Sequence, residues 1–241
     1  MNAAVKPLRT PVETALIERF EAAPALRDAA RPAREAAIAR FAASGLPHRR
    51  LEPWHYTDLR TLLKEAPPLG EAPGAACADE ALGAGATFVF SGGRLVSQES
   101  GPGFAVAPLP ADAELDMAPA PADEPVLSLA RAFALDGLDI SVTGAAALRL
   151  VFDDRGLGEA ATSAVRLRVR VAAGAELTLA ESCFSGDGRA HFSNVALRLE
   201  LGEGARVRHV RLNAAGDQAT ALSTLSVDMA AGAFFETAAL V

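Results

Sequence analysis

Apolar and polar side chains alternate in three stretches that share one register. Val171, Leu201 and Met229 each lie three residues before a glycine, Val169, Leu199 and Val227 five before, and Leu167, Leu197 and Leu225 seven before. The intervening positions include Arg168, Arg170, Arg198, Glu200 and Asp228. A period of two with one apolar face is the signature of a half-buried β-strand. The glycines open the dipeptides Gly174-Ala175, Gly204-Ala205 and Gly232-Ala233, and Gly144-Ala145 precedes them, at spacings of 30, 30 and 28 residues. That spacing is in the range of solenoid repeats. The first unit is atypical, with Ile140 and Val142 one residue out of phase.

Alternation on a fixed repeat predicts coils stacked about 4.8 Å apart, each apolar column continuing through the core. Arg170 is then beside Glu200 on the outer surface. Strands downstream of the glycines, at Glu176–Ala180, Arg206–Leu212 and Phe234–Leu240, form a second wall. Such a stack leaves an open edge, and the pattern is still strand-like at Leu240-Val241, so a truncated chain or a covering partner is expected.

Before the repeat, residues ~10 to 44 read as an amphipathic helical pair. Thr10 caps, Pro11 suits the first turn, Glu13 completes a capping box, Pro24 divides the pair and Ser44-Gly45 stops it. Residues 67–85 are rich in Pro, Gly and Ala and read as a linker. A hairpin at Thr87–Phe90 and Leu95-Val96 follows, then a second Pro-rich stretch at 108–125 and a short helix near Val126 to Ala134. The expected organisation is a helical segment at 1–66, a linker with a hairpin at 67–125, and a solenoid at 126–241.

Composition narrows the function. Half of the 241 residues are apolar and 5% are aromatic, so Ala, Val and Leu must fill the core. No apolar run approaches the ~20 residues of a membrane span. The N-terminus lacks a secretory pattern, so cytoplasm is the expected location. A net charge of −7, with Lys and Arg interspersed among carboxylates, disfavours nucleic acid. Walker, GxSxG, HExxH, EF-hand and dinucleotide-binding motifs are absent, and no catalytic residue is expected.

Three groups of residues invite a chemical reading. Cys183, His191 and His209 could meet on adjacent coils as metal or cluster ligands. Against this, His209 shares parity with Arg211 rather than with Val210 and Leu212 and is expected to face solvent, leaving a turn cysteine and exposed histidines. Cys77 reads as an incidental thiol. Asp153-Asp154 could serve the lyase or glycosidase chemistry of some β-helical enzymes, or simply end a strand and open a turn. Arg49, Arg50, Glu52, Trp54, Tyr56 and Asp58 concentrate the only Trp and the only Tyr with an arginine pair. They form either a protein interface or an anchor seating the helices, with Glu52 pairing Arg49 or Arg50.

The order Gly45-Leu46-Pro47, Arg49-Arg50, Glu52, Trp54, Tyr56-Thr57-Asp58-Leu59 after an amphipathic helix resembles the N-terminal hallmark of SufD, in the SufB/SufD family of SUF iron-sulfur cluster assembly. Residues 127–152 resemble that family's entry into its β-helix, and the later repeats resemble its coils. Pro53 departs from the polar residue usual before the Trp.

The resemblance implies a mainly β fold with an α-helical N-terminal segment and a single-stranded right-handed parallel β-helix, cut short at the C-terminus. It implies a non-catalytic scaffold that works with its paralogue SufB, the ATPase SufC and, indirectly, a cysteine desulfurase. The iron-sulfur cluster, and possibly a flavin, would belong to the complex, with ligands beyond Val241. No cofactor or metal residue is carried over to this chain. The alternatives are a β-helical carbohydrate-active enzyme and the sibling SufB, the latter expected to carry more cysteines.

Overall fold

The structure, a computed structural model, describes residues 9–70, 82–115, 117 and 124–241. Cys77 and most of the expected linker lie outside the described residues. Two sheets wall a parallel β-solenoid. One has the strand order β10 (Thr220–Met229), β8 (Phe192–Leu201), β6 (Thr162–Val171), β4 (Asp136–Val142) and β3 (Phe104–Pro108). The other runs β11 (Phe234–Leu240), β9 (Arg206–Ala214), β7 (Glu176–Phe184), β5 (Ala145–Asp153), β1 (Ala86–Ser91) and β2 (Arg94–Gln98).

The shared sequence register is the structural register. Leu138, Leu167, Leu197 and Leu225 align across four parallel strands, as do Ile140, Val169, Leu199 and Val227. Those in β4, β6 and β8 are buried in one core with Leu148, Leu150, Leu177 and Leu179 of the facing sheet, and Leu225 and Val227 pack against it. The atypical first unit is explained by its turn. Ile140 and Val142 are in step with Val169 and Val171, but Gly144 follows Val142 by two residues where Gly174 follows Val171 by three.

The turns stack as well as the strands. The Gly174 N–H donates to Glu203 O at 2.9 Å and the Gly204 N–H to Ala231 O at 3.0 Å. Gly174, Gly204 and Gly232 have φ between 66° and 69°, a left-handed backbone that glycine adopts without a Cβ penalty. On the outer face, Arg170 neighbours Glu200 as expected, yet it pairs with Asp139 at 3.0 Å, while Arg198 takes Glu200 at 2.7 Å and also pairs with Asp228.

The expected hairpin forms between β1 and β2, and β1 also pairs in parallel with β5, so it is continuous with the solenoid wall. The start of the Pro-rich stretch is ordered too: Leu69 bridges Thr162, whose N–H donates to Pro68 O and whose hydroxyl donates to Pro67 O.

Helices α1 (Pro11–Ala22), α2 (Arg31–Ser44), α3 (Leu59–Leu62) and α4 (Glu124–Phe133) share a second core. That core includes Ala164 and Phe192 of the solenoid. The Thr10–Glu13 capping box is present, and Pro24 opens a short 3-10 turn between α1 and α2. The buried Glu13 carboxylate accepts hydrogen bonds from Thr10 N, Leu46 N and Arg60 Nε at 2.7, 2.7 and 3.0 Å, tying together three parts of the layer. Arg34, fully buried, donates to the Ala132 and Ala134 carbonyls and to Asp28, fixing α2 to the end of α4. Among the described residues no helix is long and apolar enough to cross a membrane.

Leu197→Ala removes a side chain from a continuous interior column and is expected to cost about 3 kcal/mol. Arg170→Ala, on the outer ladder, is expected to cost below about 1 kcal/mol. Chemical denaturation compares the two, and equal losses would contradict the assignment of inner and outer faces.

Candidate functional site

The residues singled out between 45 and 59 fold into a closed knuckle. Gly45 ends α2 with φ 72°, Glu52–Trp54 makes a 3-10 turn, and the Leu59 N–H donates to Pro47 O at 3.1 Å. Asp58 caps α3 by accepting the Arg60 N–H at 3.1 Å and also accepts Arg49 Nε at 3.2 Å. The partner of Arg49 is therefore Asp58 and not Glu52, because Asp58 is held in place by its cap while Glu52 points outward on the turn. Trp54 is half-buried against the helical core, whereas Tyr56 is 98% exposed with its ring edge against His55. The two aromatic residues divide the roles: Trp54 seats the segment, and Tyr56 projects from it into solvent.

A second concentration of chemistry lies inside the solenoid. Column by column, Phe88 and Leu150 give way to Glu181 and Arg211; Leu148 and Leu179 to His209 and Thr237; Phe90 and Phe152 to Cys183 and Asn213. His209 is 6% exposed, which corrects its expected solvent position. The parity argument was right in grouping it with Arg211, but both share the face of core residue Val207, because the interior itself turns polar in these coils. Glu181 accepts from His209 Nε2 at 2.7 Å, and His209 Nδ1 contacts Thr237 Oγ1 at 2.8 Å. An acid at the parity of Leu177 and Leu179 is the signal that could have revealed this column from sequence.

His191 is likewise buried, at 1% exposure, rather than exposed. Its Nδ1 accepts the Ala161 N–H at 3.2 Å. Burial pushes its pKa down, opposed by the charge of Asp154. Asp154 is a staple between coils: it accepts the Gly92 N–H at 2.7 Å and the Ser163 hydroxyl at 2.8 Å, and its own N–H donates to Phe184 O. Burial raises its pKa more than these hydrogen bonds lower it. Asp153 is buried as well and pairs with Arg155 at 2.9 Å. Neither carboxylate is presented to a polysaccharide in an outer groove, and the pair ends β5 and opens its turn.

Cys183, His191 and His209 do not converge, and among the described residues no three His, Cys, Asp or Glu side chains are placed to hold a metal ion. Burial, with the nearby negative charge of Asp154, pushes the Cys183 thiol up to about 11 despite its hydrogen bond with Ser193. A protonated thiol is a weak nucleophile and a poor ligand. Glu181, His209 and Asp154 are thus engaged in hydrogen bonds between coils, while His191 Nε2 is buried without a hydrogen-bond partner.

Fold and interior together define a parallel β-helix protein with a helical layer at its N-terminal end. The family model described as SUF system FeS cluster assembly, SufBD core domain, matches residues 155–241, the part containing β6 to β11. This match supports the SufB/SufD family and a role in SUF iron-sulfur cluster assembly. No curated protein matches the chain.

Two measurements probe the interior. Because native Asp154 holds its proton to higher pH than the unfolded chain, the native state binds more protons above the ordinary value of 3.8, and this group's contribution to stability falls as pH rises through that window. Asp154→Asn removes the effect, so its stability relative to wild type is expected to improve as pH rises from 3.8 into the raised range; a constant difference would refute the assignment. For Cys183, alkylation of the native protein near pH 8 followed by peptide mapping is expected to leave the residue unmodified until denaturant is added. Rapid native labelling would show an accessible thiolate.

Proposed function

We propose that the chain is a SufD-type scaffold subunit of the SUF iron-sulfur cluster assembly complex. The observation that carries this reading is the family match across the rungs from β6 to β11, on a solenoid preceded by the knuckle whose residue order resembles SufD. The two signals occupy different parts of the chain, which makes them independent. The presence of one buried cysteine among the described residues agrees better with SufD than with the expected cysteine content of SufB.

In this reading the chain is not the catalyst. It acts in the cytoplasm beside the SufB paralogue and the SufC ATPase, with sulfur supplied by a cysteine desulfurase. The cluster, and a flavin where one is used, would be held by the complex, and none of the described side chains is assigned as a ligand. The buried, protonated Cys183 is consistent with that assignment.

The test is co-purification. The chain, co-expressed with the SufB paralogue and the SufC ATPase, is expected to elute with both as one complex. Separate elution of all three at micromolar concentration would overturn the proposal.

A further inference from the structure

Arg166 shares the outward face of β6 with Arg168 and Arg170 but is only 4% exposed. Residues 109–115 and Met117 account for the difference. Leu115 and Met117 pack in one apolar cluster with Leu127 and Ala130 of α4 and Ala196 of β8. Between that foothold and Leu109, the chain turns its acceptors inward. Arg166 Nη1 donates to Ala111 O at 3.0 Å, and its Nη2 donates to Ala113 O. Arg131 Nη1 pairs with Glu114 at 2.5 Å and its Nη2 donates to Asp112 O at 3.2 Å. Arg131 Nε is buried with no hydrogen-bond partner.

Two guanidinium groups therefore meet three backbone carbonyls and one carboxylate, and that carboxylate is largely exposed. Among the described residues no carboxylate forms an ion pair with Arg166. Burial, followed by the charge of Arg131 and, more weakly, Arg34, pushes the Arg166 pKa down to about 10, so it is still a cation at neutral pH. Arg40 adds a further positive charge acting on Glu114. A planar guanidinium fork is best satisfied by two oxygens of a carboxylate or phosphate, and neutral carbonyls replace only part of that interaction.

We propose that Arg166 and Arg131 form an oxyanion site for a phosphate-bearing small molecule, which residues 111–114 occupy as a built-in competitor. Binding displaces the Ala111 and Ala113 carbonyls and Glu114 from the two side chains while Leu115 and Met117 keep the segment attached. The site is independent of the assembly role proposed above.

Inorganic pyrophosphate is the probe, titrated calorimetrically into the full chain, with sodium chloride at matched ionic strength as the control. Saturable binding is expected with pyrophosphate alone, together with faster amide hydrogen exchange over residues 111–115. Glu114→Gln, which weakens the internal competitor, is expected to tighten binding by about fivefold. Arg131→Gln is expected to weaken it by about tenfold. Arg166→Gln is a second ablation, and because that buried side chain supports the fold, Arg131→Gln decides the matter if Arg166→Gln does not fold. Absence of saturable binding to both wild type and Glu114→Gln, an equal response to chloride, or unchanged affinity in Arg131→Gln would each overturn the proposal.

Discussion

In-register parallel pairing is the constraint on which the rest of this molecule depends. A parallel rung satisfies its backbone only through the rungs above and below, so each inward position is repeated at the next coil and must find a compatible neighbour there. Columns such as Leu138, Leu167, Leu197 and Leu225 meet this requirement with apolar side chains alone. The turns obey the same rule, since Gly174 and Gly204 bond to the next turn as the strands bond to the next strand. A one-residue slip would turn every one of these columns to the outside. That is why the shorter turn before Gly144 leaves the strand register untouched.

The same constraint makes the polar interior informative. Where Leu150 is followed by Glu181 and then Arg211, the column can no longer be stabilised by burying hydrocarbon, and each polar group needs a partner. Glu181 finds one in His209 of the next coil, and His209 finds a second in Thr237 of the coil after that. Hydrogen bonds thus run along the solenoid axis through three successive coils. They take the place of hydrophobic stacking in these columns, while Leu177, Val207 and Phe235 continue the apolar stacking beside them.

The repeat was legible in the sequence because strand parity and glycine spacing are local and strict. Elements with local stop and start chemistry, such as the Thr10–Glu13 box, the Gly45 stop and the β1–β2 hairpin, were legible for the same reason. Parity alone failed at His209, and the expectation of an exposed His191, which precedes β8, failed with it. Parity sorts residues into two faces but does not say which is inside, and a charged group on the inner face reverses the usual inference. Partner choice was also hidden: Arg49 has carboxylates available at 52 and 58, and only the cap of α3 decides that Asp58 is the one in reach. Burial of Arg166 depended on a segment more than fifty residues away in sequence, which no periodicity records.

Each strand of the β6–β8–β10 wall is divided along its length, and this division bears on how the two halves of the chain are related. At the beginning of the strands the outward residues include the small, apolar or amide side chains Ala164, Phe192, Asn194, Ala196 and Leu222, with Arg166 buried beneath residues 111–113. Phe192, Ala164 and Leu222 pack with the helical core, Ala196 packs with α4, and Asn194 Nδ2 donates to Val126 O at 2.9 Å. Toward the ends the outward residues become Arg168, Arg170, Arg198, Glu200 and Asp228, which form a solvated ionic ladder. The helical layer therefore docks on a surface built to receive it, and the knuckle rides on that layer through Trp54. The family match covers the rungs that provide the docking surface, while the knuckle lies outside the match and carries a separate resemblance. Packing between the two joins both signals in one folded unit, which is what allows them to bear on one function.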